Sequence, residues 1–156
     1  MHEESWEPAR ASEIIAGLTH KEGATLLMLQ ALQEAFGYVP QDAEPMIAQA
    51  LNLSRAEVHG VLTFYPDFRR APPGRHVLKL CRAEACQAAG GDALAAHVET
   101  RLGVTFGATT ADGAVTLEPA YCLGLCATAP SAMIDERVVG RLDAGKLDAL
   151  LTEAQR

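Results

Sequence analysis

The first 70 residues repeat the spacing of amphipathic helices. In the first segment apolar residues recur at positions i, i+3, i+4 and i+7, and these are Ala11, Ile14, Ile15 and Leu18. A second helix is predicted over residues 25–36, where Gly37 ends it. A third follows Asp42 and is predicted to bury Ala50, and a fourth begins at a capping box formed by Ser54 and Glu57. Helices this short are unstable alone, so residues 1–70 are predicted to form a small helical bundle.

The pattern changes after residues 71–74, Ala-Pro-Pro-Gly, where alternating apolar positions predict strands. The predicted strands are residues 76–80, a segment through Val115 and Leu117, and a hairpin of residues 132–134 and 137–139. One helix is predicted after Gly90-Gly91 with Asp92 as its cap, and a last helix after Asp143. The order β-α-β-β-β-α predicts a small open sheet covered by helices over residues 75–156. The chain as a whole is therefore predicted to be α+β.

Composition and charge exclude several classes of protein. The chain has 156 residues, 49% of them hydrophobic, and a formal net charge of −7 without a basic patch in either half, which argues against a nucleic-acid partner. The longest uncharged stretch, residues 119–134, is shorter than the roughly 18 apolar residues of a membrane helix. Residues 1–5 carry acid where a signal peptide carries Lys or Arg. We therefore expect a cytoplasmic protein without direct membrane insertion.

The candidate chemistry lies in four cysteines arranged as two pairs. Four residues separate the first pair, three separate the second, and 35 lie between the pairs, whose members are Cys81, Cys86, Cys122 and Cys126. Each pair is predicted in a loop after a strand, among small residues that let backbone N–H groups approach sulfur closely. Cytosolic thiols stay reduced, so two disulfides are not expected. Four thiolates are the ligand set of a 2Fe–2S cluster, with two at each iron.

Two other interpretations of the cysteines remain open on the residues alone. Structural zinc also takes four cysteines, although its pairs most often read C-x₂-C. Buried cysteines can also serve only as small hydrophobic residues. A thioredoxin-type redox pair needs C-x-x-C, which the chain lacks. The unequal, longer spacings favour a two-iron cluster over a single tetrahedral ion.

The cysteine segments also carry a family resemblance. Residues 81–86, Cys-Arg-Ala-Glu-Ala-Cys, and residues 121–130, Tyr-Cys-Leu-Gly-Leu-Cys-Ala-Thr-Ala-Pro, resemble the thioredoxin-like 2Fe–2S ferredoxins, and residues 60–65 and 73–76 match the same family. The resemblance implies a helical N-terminal region followed by a thioredoxin-like domain with one iron–sulfur cluster. It implies no catalytic residues on this chain, and its implied cofactor and metal ligands are Cys81, Cys86, Cys122 and Cys126.

Members of this family are small electron-transfer subunits beside the flavin subunit of NADH dehydrogenases, NAD-reducing hydrogenases and NAD-dependent formate dehydrogenases. Residues 51–60, 82–85 and 109–113 most resemble the gamma subunit of the molybdenum-containing formate dehydrogenase. That resemblance implies that a partner subunit binds FMN and NAD. It also implies that this partner connects the chain to a molybdenum-containing catalytic subunit, and that the chain alone turns over no substrate. The alternatives are the equivalent subunit of an NADH dehydrogenase or hydrogenase, and a zinc-binding structural or regulatory module.

Overall fold

The computed structural model describes residues 5–154 of the chain. The expectation that no signal peptide is present rests mostly on residues 1–4, which lie outside this range. The chain divides between Pro72 and Pro73 into two compact units. None of the helices within residues 5–154 is long and apolar enough to cross a lipid bilayer.

The first unit consists of four short helices. They are α1 (Pro8–Leu18), α2 (Ala24–Phe36), α3 (Ala43–Leu51) and α4 (Arg55–Phe64). Their apolar faces form one core that includes Met28, Leu32 and Ile47, each fully buried. Trp6 packs edge-on against Phe36 with ring centroids 4.9 Å apart. The predicted helical bundle is confirmed.

Two predictions about α4 and α3 have different outcomes. Ser54 Oγ accepts the backbone N–H of Glu57 at 3.2 Å, and the Glu57 carboxylate accepts the backbone N–H of Ser54 at 2.8 Å, so the capping box is confirmed. The Glu57 carboxylate accepts hydrogen bonds from both the backbone N–H and the hydroxyl of Ser54, and these hold the pKa of Glu57 below its usual value. The burial predicted for Ala50 is wrong, because α3 packs against both α1 and α4 and so buries Ala43 and Ala48 instead.

The second unit is built on a four-stranded mixed sheet. Its strands are β1 (His76–Cys81), β2 (Val115–Ala120), β3 (Ala132–Ile134) and β4 (Arg137–Val139), in the spatial order β2-β1-β3-β4. β1 runs parallel to β2 and antiparallel to β3, and β4 pairs antiparallel with β3 as the predicted hairpin. The α+β prediction is confirmed, and the sheet with its helices is the thioredoxin-like arrangement that the family resemblance implied.

Three helices complete this unit. α5 (Glu84–Ala88) and α6 (Gly91–Leu102) connect β1 to β2, and α7 (Ala144–Ala154) follows β4. Leu78 and Leu117 of the sheet form one core with Val98 of α6 and Leu147 of α7, all fully buried. This packing fixes the end of β1, where the first cysteine lies.

Two predictions about the helix ends of this unit have different outcomes. Asp143 accepts the backbone N–H of Lys146 at 2.8 Å and so caps α7 as predicted. Asp92 does not cap α6, because Gly90, with φ of 92°, occupies the N-cap position and places Asp92 inside the first turn. The Asp92 carboxylate instead accepts a hydrogen bond from the Arg82 guanidinium at 3.2 Å.

Candidate metal centre

The fold places both cysteine pairs at one edge of the sheet. Cys81 is the last residue of β1, and Cys122 follows the end of β2 by two residues. Because β1 and β2 are parallel and in register, with Cys81 opposite Ala120, their carboxyl ends meet at the same edge. Cys126 begins a single turn of 3-10 helix, Cys126–Thr128. The two cysteine pairs, which 35 residues separate along the chain, therefore come from adjacent strand ends.

The loop position predicted for the first pair is wrong for Cys86. It lies on α5, a short helix that the hydrophobic pattern did not reveal. Five residues are too few to show a helical period. The helix buries Cys86 while Cys81 is buried at the strand end, and each is only 2% exposed.

The second pair is exposed, in contrast to the first. The Sγ atoms of Cys122 and Cys126 lie 3.6 Å apart, and both residues are exposed to solvent. All four cysteines carry free thiols. The site therefore has a buried pair and a surface pair, which gives it an inner and an outer side.

Backbone N–H groups are directed at the sulfurs. The N–H of Gly124 donates to Cys122 Sγ at 3.4 Å. Burial alone raises the pKa of the Cys81 thiol, but hydrogen bonds from the backbone of Ala83 and Leu123 and from the Cys86 and Ser131 side chains outweigh it and lower that pKa. These hydrogen bonds therefore stabilise negative charge on the Cys81 sulfur.

The Cys126 thiol has a pKa above its ordinary value. The Cys122 sulfur raises the pKa of the Cys126 thiol, first through their hydrogen bond and then through its negative charge, and Cys86 adds a smaller charge effect in the same direction. Positive charge between the sulfurs would remove this repulsion. The donor set therefore fits a metal centre with thiolate ligands.

Two glycines support the site through close packing that the sequence analysis missed. A Cβ atom on Gly91 would lie 2.6 Å from the carbonyl oxygen of Cys86, so only glycine lets α6 begin against the back of α5. A Cβ atom on Gly140 would lie 2.5 Å from Thr128 Oγ1, beside the second pair. In the sequence, Gly90-Gly91 indicates only the start of a helix. No local signal indicates the close contact between Gly91 and Cys86.

A 2Fe–2S cluster needs two thiolates at each of its two irons, four in all. Two cysteine pairs at one sheet edge, served by N–H donors, fit that cofactor.

The comparison with protein families agrees with this geometry. The family model described as thioredoxin-like [2Fe-2S] ferredoxin matches residues 11–155. The fold and the paired thiols define an electron-transfer protein of the iron–sulfur class. The chain belongs to the thioredoxin-like [2Fe-2S] ferredoxin family, and its cofactor is a 2Fe–2S cluster, as predicted.

Several curated proteins are similar over most of their length. The chain is 40% identical over 131 residues to the second E-type subunit of NADH-quinone oxidoreductase from Rhizobium meliloti (strain 1021), covering 84% of this chain and 78% of the relative. It is 35% identical over 162 residues to the E-type subunit of NADH-quinone oxidoreductase from Escherichia coli (strain K12), covering 97% and 98%. It is 31% identical over 141 residues to the HndA subunit of NADP-reducing hydrogenase from Solidesulfovibrio fructosivorans, covering 90% and 82%.

Solved structures contain the same fold within longer chains. The chain superimposes on a chain of NAD+-reducing [NiFe]-hydrogenase in the H2-reduced state with a TM-score of 0.67 and 31% identity, covering 81% of this chain. The same type of hydrogenase in the air-oxidized state gives a TM-score of 0.62 at 31% identity, covering 73%. This chain spans only 22% and 20% of those hydrogenase chains, respectively.

Proposed function

We propose that this chain is the gamma subunit of a cytoplasmic, NAD-dependent, molybdenum-containing formate dehydrogenase. Its task is electron transfer through one 2Fe–2S cluster, and the proposed ligands are Cys81, Cys86, Cys122 and Cys126. We further propose two domains, a helical one over residues 1–70 and the cluster domain over residues 75–156. The observation that carries the proposal is the meeting of two cysteine pairs at the carboxyl ends of parallel β1 and β2.

The environment of the pairs supports the ligand assignment and an electron-transfer role. When bound, a 2Fe–2S cluster accepts and releases one electron. Cys81 and Cys86 are each 2% exposed, so the protein keeps water from these two sulfurs. Cys122 and Cys126 lie at the surface, where an electron can pass to or from a partner. The backbone N–H groups of Ala83, Leu123 and Gly124 hydrogen-bond the sulfurs and counter their charge.

The choice of parent complex rests on three segments. Residues 51–60, 82–85 and 109–113 resemble the gamma subunit of formate dehydrogenase. The curated relatives support the broader statement that the chain works in an NAD(P)-linked oxidoreductase of several subunits. They also favour a second candidate, the equivalent subunit of an NADH-quinone oxidoreductase, because relatives with that name are up to 40% identical.

The proposed partners follow from the same assignment. A subunit with one cluster needs a donor and an acceptor for its electron, and we assign these roles to a partner that binds FMN and NAD. A molybdenum-containing subunit would oxidise formate and deliver the electrons to this assembly. The chain alone is then expected to oxidise neither formate nor NADH.

The cofactor is tested by chemical analysis of anaerobically purified protein. We expect two irons and two sulfides per chain, and an electron paramagnetic resonance signal after reduction by one electron. The protein should be red-brown. One zinc per chain without iron, after expression in iron-replete medium, would show the zinc-binding alternative to be correct.

The parent complex is tested by tagging the chain in its native host. The captured complex should contain molybdenum and FMN and should reduce NAD with formate as the electron donor. A complex that oxidises hydrogen, or that transfers electrons from NADH to quinone without any response to formate, would instead identify one of the two alternative parents. The isolated chain serves as the control and should be inactive with formate, hydrogen and NADH.

A further inference from the structure

Ser131 lies beside the buried cysteine pair although it is distant from both cysteines in sequence. Its Oγ is 3.6 Å from Cys86 Sγ, and the same hydroxyl hydrogen-bonds with the Cys81 thiol. Its backbone carbonyl accepts the N–H of Cys81 at 3.0 Å. The residue is 1% exposed, so water does not compete for this hydroxyl. Ser131 thus contacts both cysteines of the buried pair.

The direction of the hydrogen bond is fixed once the cysteines bind metal. In the free chain either the hydroxyl or the thiol can donate. A cysteine that ligates iron is a thiolate, which carries no proton and can only accept. The Ser131 hydroxyl must then be the donor, and its proton points at the sulfur of Cys86 or Cys81.

We propose that Ser131 is a positioning residue that raises the reduction potential of the cluster by donating a hydrogen bond to the thiolate of Cys86 or Cys81. This inference rests on the proposed function, because it requires those two cysteines to be ligands. Reduction adds one negative charge to the centre, and hydrogen bonds to a more negative acceptor are stronger. Hydrogen bonds to the sulfurs are among the influences that set the potential of iron–sulfur proteins. A donor within a buried site acts with little screening.

A hydroxyl elsewhere in the second unit provides a control. Thr100 is exposed on α6, and its Oγ1 donates to the carbonyl oxygen of Ala96 at 2.8 Å and not to a sulfur. Thr100→Val removes that hydroxyl while keeping the shape of the side chain. A general effect of removing a hydroxyl from this unit would change the potential in both variants.

The experiment measures the reduction potential by titration with electron paramagnetic resonance detection, on full-length protein loaded with cluster. We expect Ser131→Ala to shift the ratio of reduced to oxidised cluster about tenfold toward the oxidised form at a fixed applied potential, which is about 59 mV for a one-electron couple. Ser131→Thr, which keeps the hydroxyl, should restore a potential close to that of the unaltered protein. Thr100→Val should leave it unchanged.

The outcomes separate this inference from the proposed function. Two irons per chain with equal potentials in the unaltered protein and Ser131→Ala would overturn the role of Ser131 and leave the ligand assignment standing. Equal shifts in Ser131→Ala and Ser131→Thr would attribute the effect to packing and would also overturn it. Zinc in place of iron in the unaltered protein would overturn both proposals.

A spectroscopic measurement covers the case in which Ser131→Ala fails to retain its cluster. The unaltered protein is produced with serine enriched in oxygen-17 at the hydroxyl, and the reduced cluster is examined by electron–nuclear double resonance. We expect an oxygen-17 coupling in the unaltered protein and none in Ser131→Thr, because Ser131 is the only serine after Ser54 in the chain. A spectrum without any such coupling would contradict the proposed hydrogen bond.

Discussion

At the scale of the residue, the four cysteines differ more in environment than in chemistry. Cys81 and Cys86 are buried and receive several hydrogen bonds, while Cys122 and Cys126 lie at the surface and repel each other when ionised. Despite its burial, hydrogen bonds lower the pKa of the Cys81 thiol, whereas the Cys122 sulfur raises the pKa of the Cys126 thiol. A metal ion between Cys122 and Cys126 would counter the repulsion between their charged sulfurs.

Removal of one surface ligand tests whether it belongs to the site. We expect Cys126→Ala to lose or strongly deplete the cluster, because one iron would keep a single protein thiolate. Metal binding is coupled to the order of its ligand loops, so the second unit should also become less stable. Iron content and thermal unfolding measure the two effects.

The control for this change is Thr100→Val, at an exposed position of α6, which should keep its iron. The helical circular dichroism of the first unit should persist in both variants. A full complement of two irons in Cys126→Ala would show that this cysteine is no ligand.

At the scale of the element, the close contact between α6 and α5 determines where Cys86 lies. α6 begins at Gly91, whose Cα faces the carbonyl group of Cys86 without room for a side chain. The contact packs the five-residue helix α5, which carries the buried Cys86, against the start of α6. Local helix propensity is too weak to maintain so short a helix, so the packing must do it.

Gly91→Ala tests this contact. The added methyl group would lie 2.6 Å from the Cys86 carbonyl oxygen, so the backbone of α5 must move. We expect a loss of about 1–3 kcal/mol in the free energy of unfolding of the second unit, as is typical of overpacking. Iron content should fall with it, and both are measured on anaerobically purified protein.

Gly145→Ala is the matched control, because it adds the same methyl group near the start of α7. There the nearest atom, Asp143 Oδ1, would be 3.4 Å away, which is an ordinary contact. This variant should keep both its iron and its stability. Equal behaviour of the two variants would show that the contact between Gly91 and Cys86 has no special importance.

At the scale of the whole molecule, the segment around the surface pair has the composition of an interface. Residues 122–130 contain no charged side chain, although the chain as a whole carries a net charge of −7. Tyr121, next to this segment, is 76% exposed. Protein–protein interface cores are poor in charge and rich in aromatic residues. We infer that the flavin-binding partner docks over this segment, near the exposed sulfurs.

Leu125→Glu tests the docking surface. A carboxylate in the centre of an apolar interface must lose its hydration, so we expect weaker binding of the flavin subunit. The iron content should remain near two per chain, because Leu125 is not a proposed ligand. Co-purification with the partner and metal analysis of the same sample measure both effects.

Val138→Glu is the control for this change. It adds the same charge to another partly exposed apolar residue of the second unit, on β4, where Val138 is 49% exposed. Assembly should be normal in this variant. If Leu125→Glu assembled equally well, the partner would have to bind elsewhere, although the cluster assignment would be unaffected.

The features that the sequence alone determined are those that neighbouring residues decide. The spacing of apolar residues and local end signals identified the first three helices, and the Ser54 and Glu57 capping box identified the fourth, α4. Alternation identified the strands, including the hairpin of β3 and β4. The spacing of the cysteines, together with the residues around them, predicted the family and its cofactor.

Only the tertiary structure decided how the site is supported, because that support joins residues far apart in the chain. Cys86 and Ser131 lie 45 positions apart, and the sequence around neither residue predicts their contact. The same holds for Gly140 against Thr128, and for the burial of one cysteine pair but not the other. Local sequence patterns reflect interactions between residues that are close together in the chain. The packing of β1, β2 and α5 determines which distant groups surround each sulfur.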